Sequence, residues 1–221
     1  MHVGIRAAVV LALVAIGLMV AAAPVHADTF QFTSDHCTGG CGTAPFGQVV
    51  VTQNGTSVNF DVSLFDSNRF VLTGSADNQY FKFNGAGGAI TVTQNVAGVT
   101  LIGDQAGVPG GFNGDGTGNF TFGITCTPIV PNTSCAVGGG NGLPVGTHLI
   151  FSVANTTLAA VEQGNNLGII FVADILSGTT GNTGPVDVTP GVTVPEPATI
   201  AFLGTGLVAL GLALRRRRVQ G

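Results

Sequence analysis

The residues of this 221-residue chain whose types could do chemistry are few and dispersed. Cys37, Cys41, Cys126 and Cys135 form an even set whose spacing favours two local loops, Cys37–Cys41 and Cys126–Cys135, although four cysteines admit three pairings. In an exported chain such a set is expected to form disulfides. A metal site would need a second histidine near His36, which adjoins Cys37, and an oxidising compartment works against thiolate ligands. Between residues 28 and 194, His36 and His148 are the histidines able to act as a general base near neutral pH. His148 opens the apolar run Leu149-Ile150, where a strand-end histidine bonded to a neighbour is the expectation. Glu162, Asp174 and Asp61 are the carboxylates a hydrolase would have to bring together, because glycoside hydrolysis needs two opposed carboxyls about 5–10 Å apart.

Asn113-Gly-Asp115-Gly-Thr117-Gly-Asn119 places oxygen side chains at alternate positions with a glycine at the sixth, like the front of an EF-hand loop. The twelfth position is Ile124 rather than the closing bidentate glutamate, so Asn113, Asp115, Thr117 and Asn119 are a weak candidate and a strained glycine turn is expected. The nucleophile elbow, His-Glu-x-x-His, the P-loop and Gly-x-Gly-x-x-Gly are all absent. The chain has no tryptophan and a single tyrosine, Tyr80, which disfavours a sugar site built on stacked rings. These features predict no enzyme and no cofactor.

Residues 28–194 hold ten acids against Arg69 and Lys82, a net charge of −8. Nucleic acid and anionic lipid headgroups are therefore poor partners, and no nucleic acid is expected, since phosphate binding needs clustered cations. Polar character comes instead from Thr, Asn, Ser and Gln.

The elements that must position these residues read as strands. In 56–64 the side chains alternate with period two, Val58, Phe60, Val62 and Leu64 on one face and Asn59, Asp61 and Ser63 on the other. The same period recurs in Phe120, Phe122 and Ile124 and in Leu149, Phe151 and Val153. Segments 46–52, 69–73, 80–83, 89–93 and 168–175 are β-branched or aromatic runs of strand length, separated by turn formers such as Asn54-Gly55, Asn84-Gly85 and Asn165-Asn166. This pattern predicts an all-β ectodomain over 28–177, an antiparallel β-sandwich or jelly-roll-like fold. Two glycine-rich stretches, Gly103–Gly118 and Gly138–Gly142, read as loops, and 178–194 reads as a Gly/Thr/Pro-rich spacer.

Both ends of the chain are apolar. Arg6, the run Ala7–Ala23 and Val25-His26-Ala27 predict a secretory signal peptide over 1–27, cut between Ala27 and Asp28. At the other end Val194-Pro195-Glu196-Pro197 precedes the uncharged segment 198–214 and then Arg215, Arg216, Arg217 and Arg218. Seventeen helical residues span ~25 Å, the lower end of what crosses a bilayer, and the arginines hold the terminus in the cytoplasm. This is read as a transmembrane helix that anchors the ectodomain outside the inner membrane.

The three-part tail over 195–221 resembles the PEP-CTERM sorting signal, with Pro195-Glu196-Pro197 matching its signature, 198–214 its membrane helix and 215–218 its basic end. The segment from Phe171 to Gly184 looks more faintly like the closing strand of ectodomains that carry such tails. The resemblance implies that an exosortase, a membrane-bound cysteine transpeptidase, acts on the chain as its substrate. It further implies exopolysaccharide surroundings and a final place in the envelope or extracellular matrix, with the ectodomain structural or ligand-binding. The alternatives are a secreted hydrolase acting on polysaccharide, whose carboxylates Asp61, Glu162 and Asp174 meet only in the fold, and a cation- or glycan-dependent adhesive module using 103–119.

Overall fold

The computed structural model describes residues 26–72, 78–85, 87–93, 99–106, 111–127, 135 and 145–188. The apolar run 7–23, the run Gly138–Gly142, the segment Pro195-Glu196-Pro197 with its expected membrane helix 198–214, and the basic cluster 215–218 lie outside the described residues. Among the described residues, no helix is long and apolar enough to cross a membrane.

In chain order the elements are β1 (Ala27–Gln31), β2 (Ser34–Asp35), β3 (Gly47–Asn54), β4 (Ser57–Leu64), β5 (Arg69–Phe70), β6 (Phe81–Phe83), β7 (Ile90–Val92) and β8 (Thr100–Gln105). There follow β9 (Phe112–Asn113), β10 (Asn119–Phe120), β11 (Phe122–Thr127), β12 (His148–Ala154), the one-turn helix α1 (Leu158–Val161), β13 (Phe171–Leu176) and β14 (Thr183–Val188). All the strand pairings are antiparallel. One sheet has the order β1-β3-β4-β12-β7; the other runs β2-β14-β13-β6-β11-β8 with β5 also on β13, and β9 and β10 form a separate ribbon.

The alternation in 57–64 sets the first sheet. Val58, Phe60, Val62 and Leu64 are buried and Asn59 is exposed opposite them. A two-residue turn joins β3 to β4, with Gly55 at φ +59°, a left-handed conformation that glycine adopts without strain. Phe60 stacks on its cross-strand partner Phe151 with centroids 4.5 Å apart, and meets Phe83, Phe171 and Phe81 of the other sheet at 5.0, 6.0 and 6.4 Å. The two sheets are thus stacked through phenylalanine rings. Each such ring contributes about 1.5–3 kcal/mol through burial, and each favourable pair about 0.5–1.5 kcal/mol more.

The second sheet is buried on both faces. In β13, Phe171, Ala173 and Ile175 join the main core, while Val172 on the opposite face packs with Phe120 and Ile169. This corrects the expectation that Phe120 shares a face with Phe122 and Ile124. The chain bends at Thr121, whose N–H donates to Asn84 Oδ1 at 3.1 Å, and Phe120 passes to the outer side.

Two further expectations are corrected. The spacer does not begin at 178: β14 pairs with β13 over six residues and with β2, and Val186 and Val188 are in the core. Gly184-Pro185 interrupts the apolar pattern and conceals this strand in the sequence. Residues 103–119 are likewise not one loop, since β8 continues to Gln105 and Asn113 and Asn119 pair across the β9–β10 ribbon. Gly103 fits in β8 because a side chain there would meet Ile90.

Both local disulfides form, Cys37–Cys41 and Cys126–Cys135, and no cysteine is free. The Asp35 carboxylate accepts the N–H groups of Cys37 and Cys41, each at 2.8 Å, so it closes the first loop by hydrogen bonding. Cys126 receives the Tyr80 hydroxyl at 3.3 Å, and burial pushes the Tyr80 phenol well above its ordinary range.

Candidate functional site

The carboxylates a hydrolase would need are each held by a different partner. Asp61, on the outer face of the first sheet, is hydrogen-bonded to His148, and both side chains are about half exposed. His148 is therefore a strand-end histidine bonded to its neighbour across β4 and β12. A side-chain pair this exposed contributes little, about 0–1 kcal/mol. Asp174 is buried against Lys82 on the outer face of the second sheet, with Nζ to Oδ2 at 3.1 Å. Glu162 ends α1 and lies against Asp28; burial, and then the hydrogen bond and charge of Asp28, push its carboxyl up to about 7. His36 Nε2 is 2.6 Å from Asp187 Oδ2 and 3.1 Å from Ser34 Oγ.

The calcium candidates are bound into the β9–β10 turn. Asn113 Oδ1 accepts the Asp115 N–H at 3.0 Å, and buried Thr117 donates its hydroxyl to the Gly114 carbonyl at 2.6 Å. Asp115, Gly116 and Gly118 all have positive φ, as the sequence predicts for a strained glycine turn. Ala27 and Asp28, the expected cleavage residues, are paired in β1 with Thr52 and Val51.

Two of the clefts on the described surface bear on function. One, of about 360 Å³, lies on the outer face of the first sheet between Val50, Thr52, Asn59, Asp61, Thr93, Ile150 and Ser152. The other, of about 470 Å³, is lined by Asn84, Gly85, Asn119, Thr121, Gln163, Gly164, Asn165 and Asn166. Among the described residues its lining contains no titratable side chain, so those residues can neither transfer a proton nor hold a metal through charge. It is a concentration of carboxamides.

Three segments meet to make this cleft, and two asparagines hold them together. Asn165 accepts the N–H groups of Leu167 and Ile169 through Oδ1, at 2.9 and 3.1 Å, and donates from Nδ2 to the Thr117 carbonyl at 2.6 Å. It thereby fastens the segment before β13 to the β9–β10 turn. Asn84 Oδ1 accepts from Thr121 and joins the end of β6 to the bend before β11. Gly85, at φ +139°, passes where a Cβ would meet the Ala160 carbonyl oxygen at 2.5 Å, so the wall formed by α1 requires glycine there. Asn119, Gln163 and Asn166 remain exposed at the rim. Each carboxamide offers a donor and an acceptor in one plane, which matches adjacent hydroxyls on a neutral ligand.

The sequence marks Asn84-Gly85 and Asn165-Asn166 as turns and Asn119 as a loop oxygen, and it does not single out Gln163. Their convergence comes from pairings distant in sequence: β6 beside β11, and Asn165 on Thr117.

Residues 193–218 match the PEP-CTERM protein-sorting motif. The match takes in the Pro195-Glu196-Pro197 signature, the apolar segment and all four arginines. No curated protein and no solved structure matches the chain.

Proposed function

We propose that the chain is exported, sorted by its PEP-CTERM tail and processed by an exosortase, and that its ectodomain is a non-catalytic binding module of the envelope or extracellular matrix. The motif at 193–218 supports the sorting part of this reading. In it, 1–27 is a cleaved leader and 198–214 anchors the sandwich-like ectodomain in the inner membrane until Pro195-Glu196-Pro197 is recognised. The chain is the exosortase's substrate and supplies no catalytic group to that reaction.

The observation that carries the ligand class is the composition of the second cleft: carboxamides, a threonine and glycines, with no charged side chain among the described residues. Such a lining suits a neutral, hydroxyl-rich polymer such as exopolysaccharide. The −8 charge of residues 28–194 repels acidic glycans and favours neutral ones. Hydrogen bonds between neutral groups are each worth about 0.5–1.5 kcal/mol, so binding relies on several rim residues and many repeats of the polymer.

The test is an array of neutral and uronic-acid oligosaccharides probed with residues 28–188 and with the Asn119→Ala, Asn166→Ala variant. Neutral glycans are expected to bind with little salt dependence, and the variant to lose about tenfold or more at each of them. Binding confined to acidic glycans, or unchanged in a folded variant, would overturn the reading. Sorting is tested separately by fractionating cells that lack the exosortase, where full-length protein should collect in the membrane.

A further inference from the structure

The chain has one lysine, and it lies where lysine is seldom found. Lys82 is the middle residue of β6, between Phe81 and Phe83, whose rings belong to the phenylalanine core. It therefore projects from the opposite face of the second sheet, yet it is 0% exposed. Its Nζ is 3.1 Å from Oδ2 of Asp174, itself 1% exposed, on the neighbouring strand β13. Val172, the register partner of Lys82, carries an apolar cluster with Phe120 and Ile169 on this face. Asp187 follows in the same cross-strand row, opposite Val172, as a further buried carboxylate.

A buried ion pair is a poor source of stability, because desolvation consumes most of the Coulombic gain. The same arrangement is the reactant state of an amide bond. An amine nitrogen is held against a carboxyl group by two paired strands, and bulk water is excluded. We propose that Lys82 and Asp174 condense into an intramolecular isopeptide bond.

A proton passes from the Lys82 ammonium to the Asp174 carboxylate, giving a neutral amine and a neutral acid. In a dry surrounding this pair is far closer in energy to the ion pair than it is in water. Nζ then attacks Cγ of Asp174, the C–N bond forms, and the bond from Cγ to one carboxyl oxygen breaks. That oxygen leaves as water, taking the proton it gained and a second one released by the nitrogen. An ammonium and a carboxylate become a secondary amide and one water, with no oxidant, reductant or activating group. Fixed proximity supplies an effective molarity of about 10⁵–10⁸ M in well-oriented cases, and burial keeps water from reversing the step. The product covalently joins β6 to β13, two interior strands of the second sheet. This proposal does not depend on what the carboxamide cleft binds.

The test is the intact mass of the purified ectodomain after reduction and denaturation. The expected mass is below that of the sequence by about 18 Da, one water. Because Lys82 is the only lysine, an amine-reactive label on the denatured chain should then modify the α-amino group alone, and digestion should yield one branched peptide carrying Lys82 and Asp174. Asp174→Ala should restore both the full mass and the labelling of Lys82. A full-mass wild-type chain with a labelled Lys82 overturns the proposal, and that measurement does not require any variant to fold.

Discussion

His36 Nε2 stands 2.6 Å from Oδ2 of Asp187, so a side chain one-third exposed reaches a carboxylate that is 1% exposed near the end of β14. Together with the His36 N–H donated to the Pro185 carbonyl at 3.0 Å, it ties the segment after β2 to β14. His36→Ala removes this charge-assisted partner and is expected to cost about 1–3 kcal/mol. His36→Gln, which can still donate, should cost less. Thermal unfolding followed by circular dichroism measures the difference, and equal melting temperatures for wild type and His36→Ala would refute it.

The Glu162 carboxyl, ordinarily near 4.5, is pushed up to about 7 by burial and by Asp28. The folded state therefore keeps a proton that the unfolded chain has released. Stability should decline as pH rises from about 4.5 to about 7 and level off above that. Glu162→Gln should flatten this slope and raise stability at pH 8 by on the order of 1 kcal/mol, discounted for solvent screening. Urea unfolding from pH 4 to 8 checks the sign. A chain beginning at Asp28 bears its α-ammonium on that residue and should show a shallower slope than one beginning at His26.

The two disulfides should contribute unequally. Cys126–Cys135 closes a loop of about ten residues, worth about 3 kcal/mol by chain entropy. Replacing both with serine should lower the melting temperature by about 5–10 °C. The shorter Cys37–Cys41 loop is worth about 2 kcal/mol on the same basis, but Asp35 still accepts both cysteine N–H groups when the sulfurs are gone. Its loss should matter less, and the reverse order would show that Asp35 does not hold the loop.

On the proposed reading, changing 215–218 to glutamine removes the charge that would hold the C-terminus inside. Full-length protein is then expected in the soluble exported fraction. Pro195→Ala with Glu196→Ala leaves the apolar segment and the arginines intact, so full-length protein should stay in the membrane, uncut. Mass measurements on each fraction separate the two defects. Normal processing of the second variant would make Pro195-Glu196-Pro197 an ordinary linker.

Local patterns were legible where one residue's environment depends on its near neighbours. Period-two alternation placed Phe60 and Phe151 on the buried faces of β4 and β12. The spacing of the four cysteines favoured both local bridges, and the glycines at 114, 116 and 118 pointed to the tight turn between β9 and β10. The same reasoning misplaced Phe120, because a bend at a single residue reverses the face of everything before it. It also missed β14, whose Gly184-Pro185 breaks the apolar rhythm although the strand fits between β13 and β2.

The sequence by itself determined the order of segments along the chain, from an apolar N-terminal run through an alternating all-β middle to the motif at 193–218, since each is written in contiguous residues. Only the tertiary structure decided that Lys82 meets Asp174, that His36 meets Asp187, and that Asn84, Asn119, Gln163 and Asn166 line one cleft. Period two states which face a side chain occupies. It carries no information about which distant strand lies alongside, and that is settled by the joint packing of two sheets around a shared core of phenylalanines.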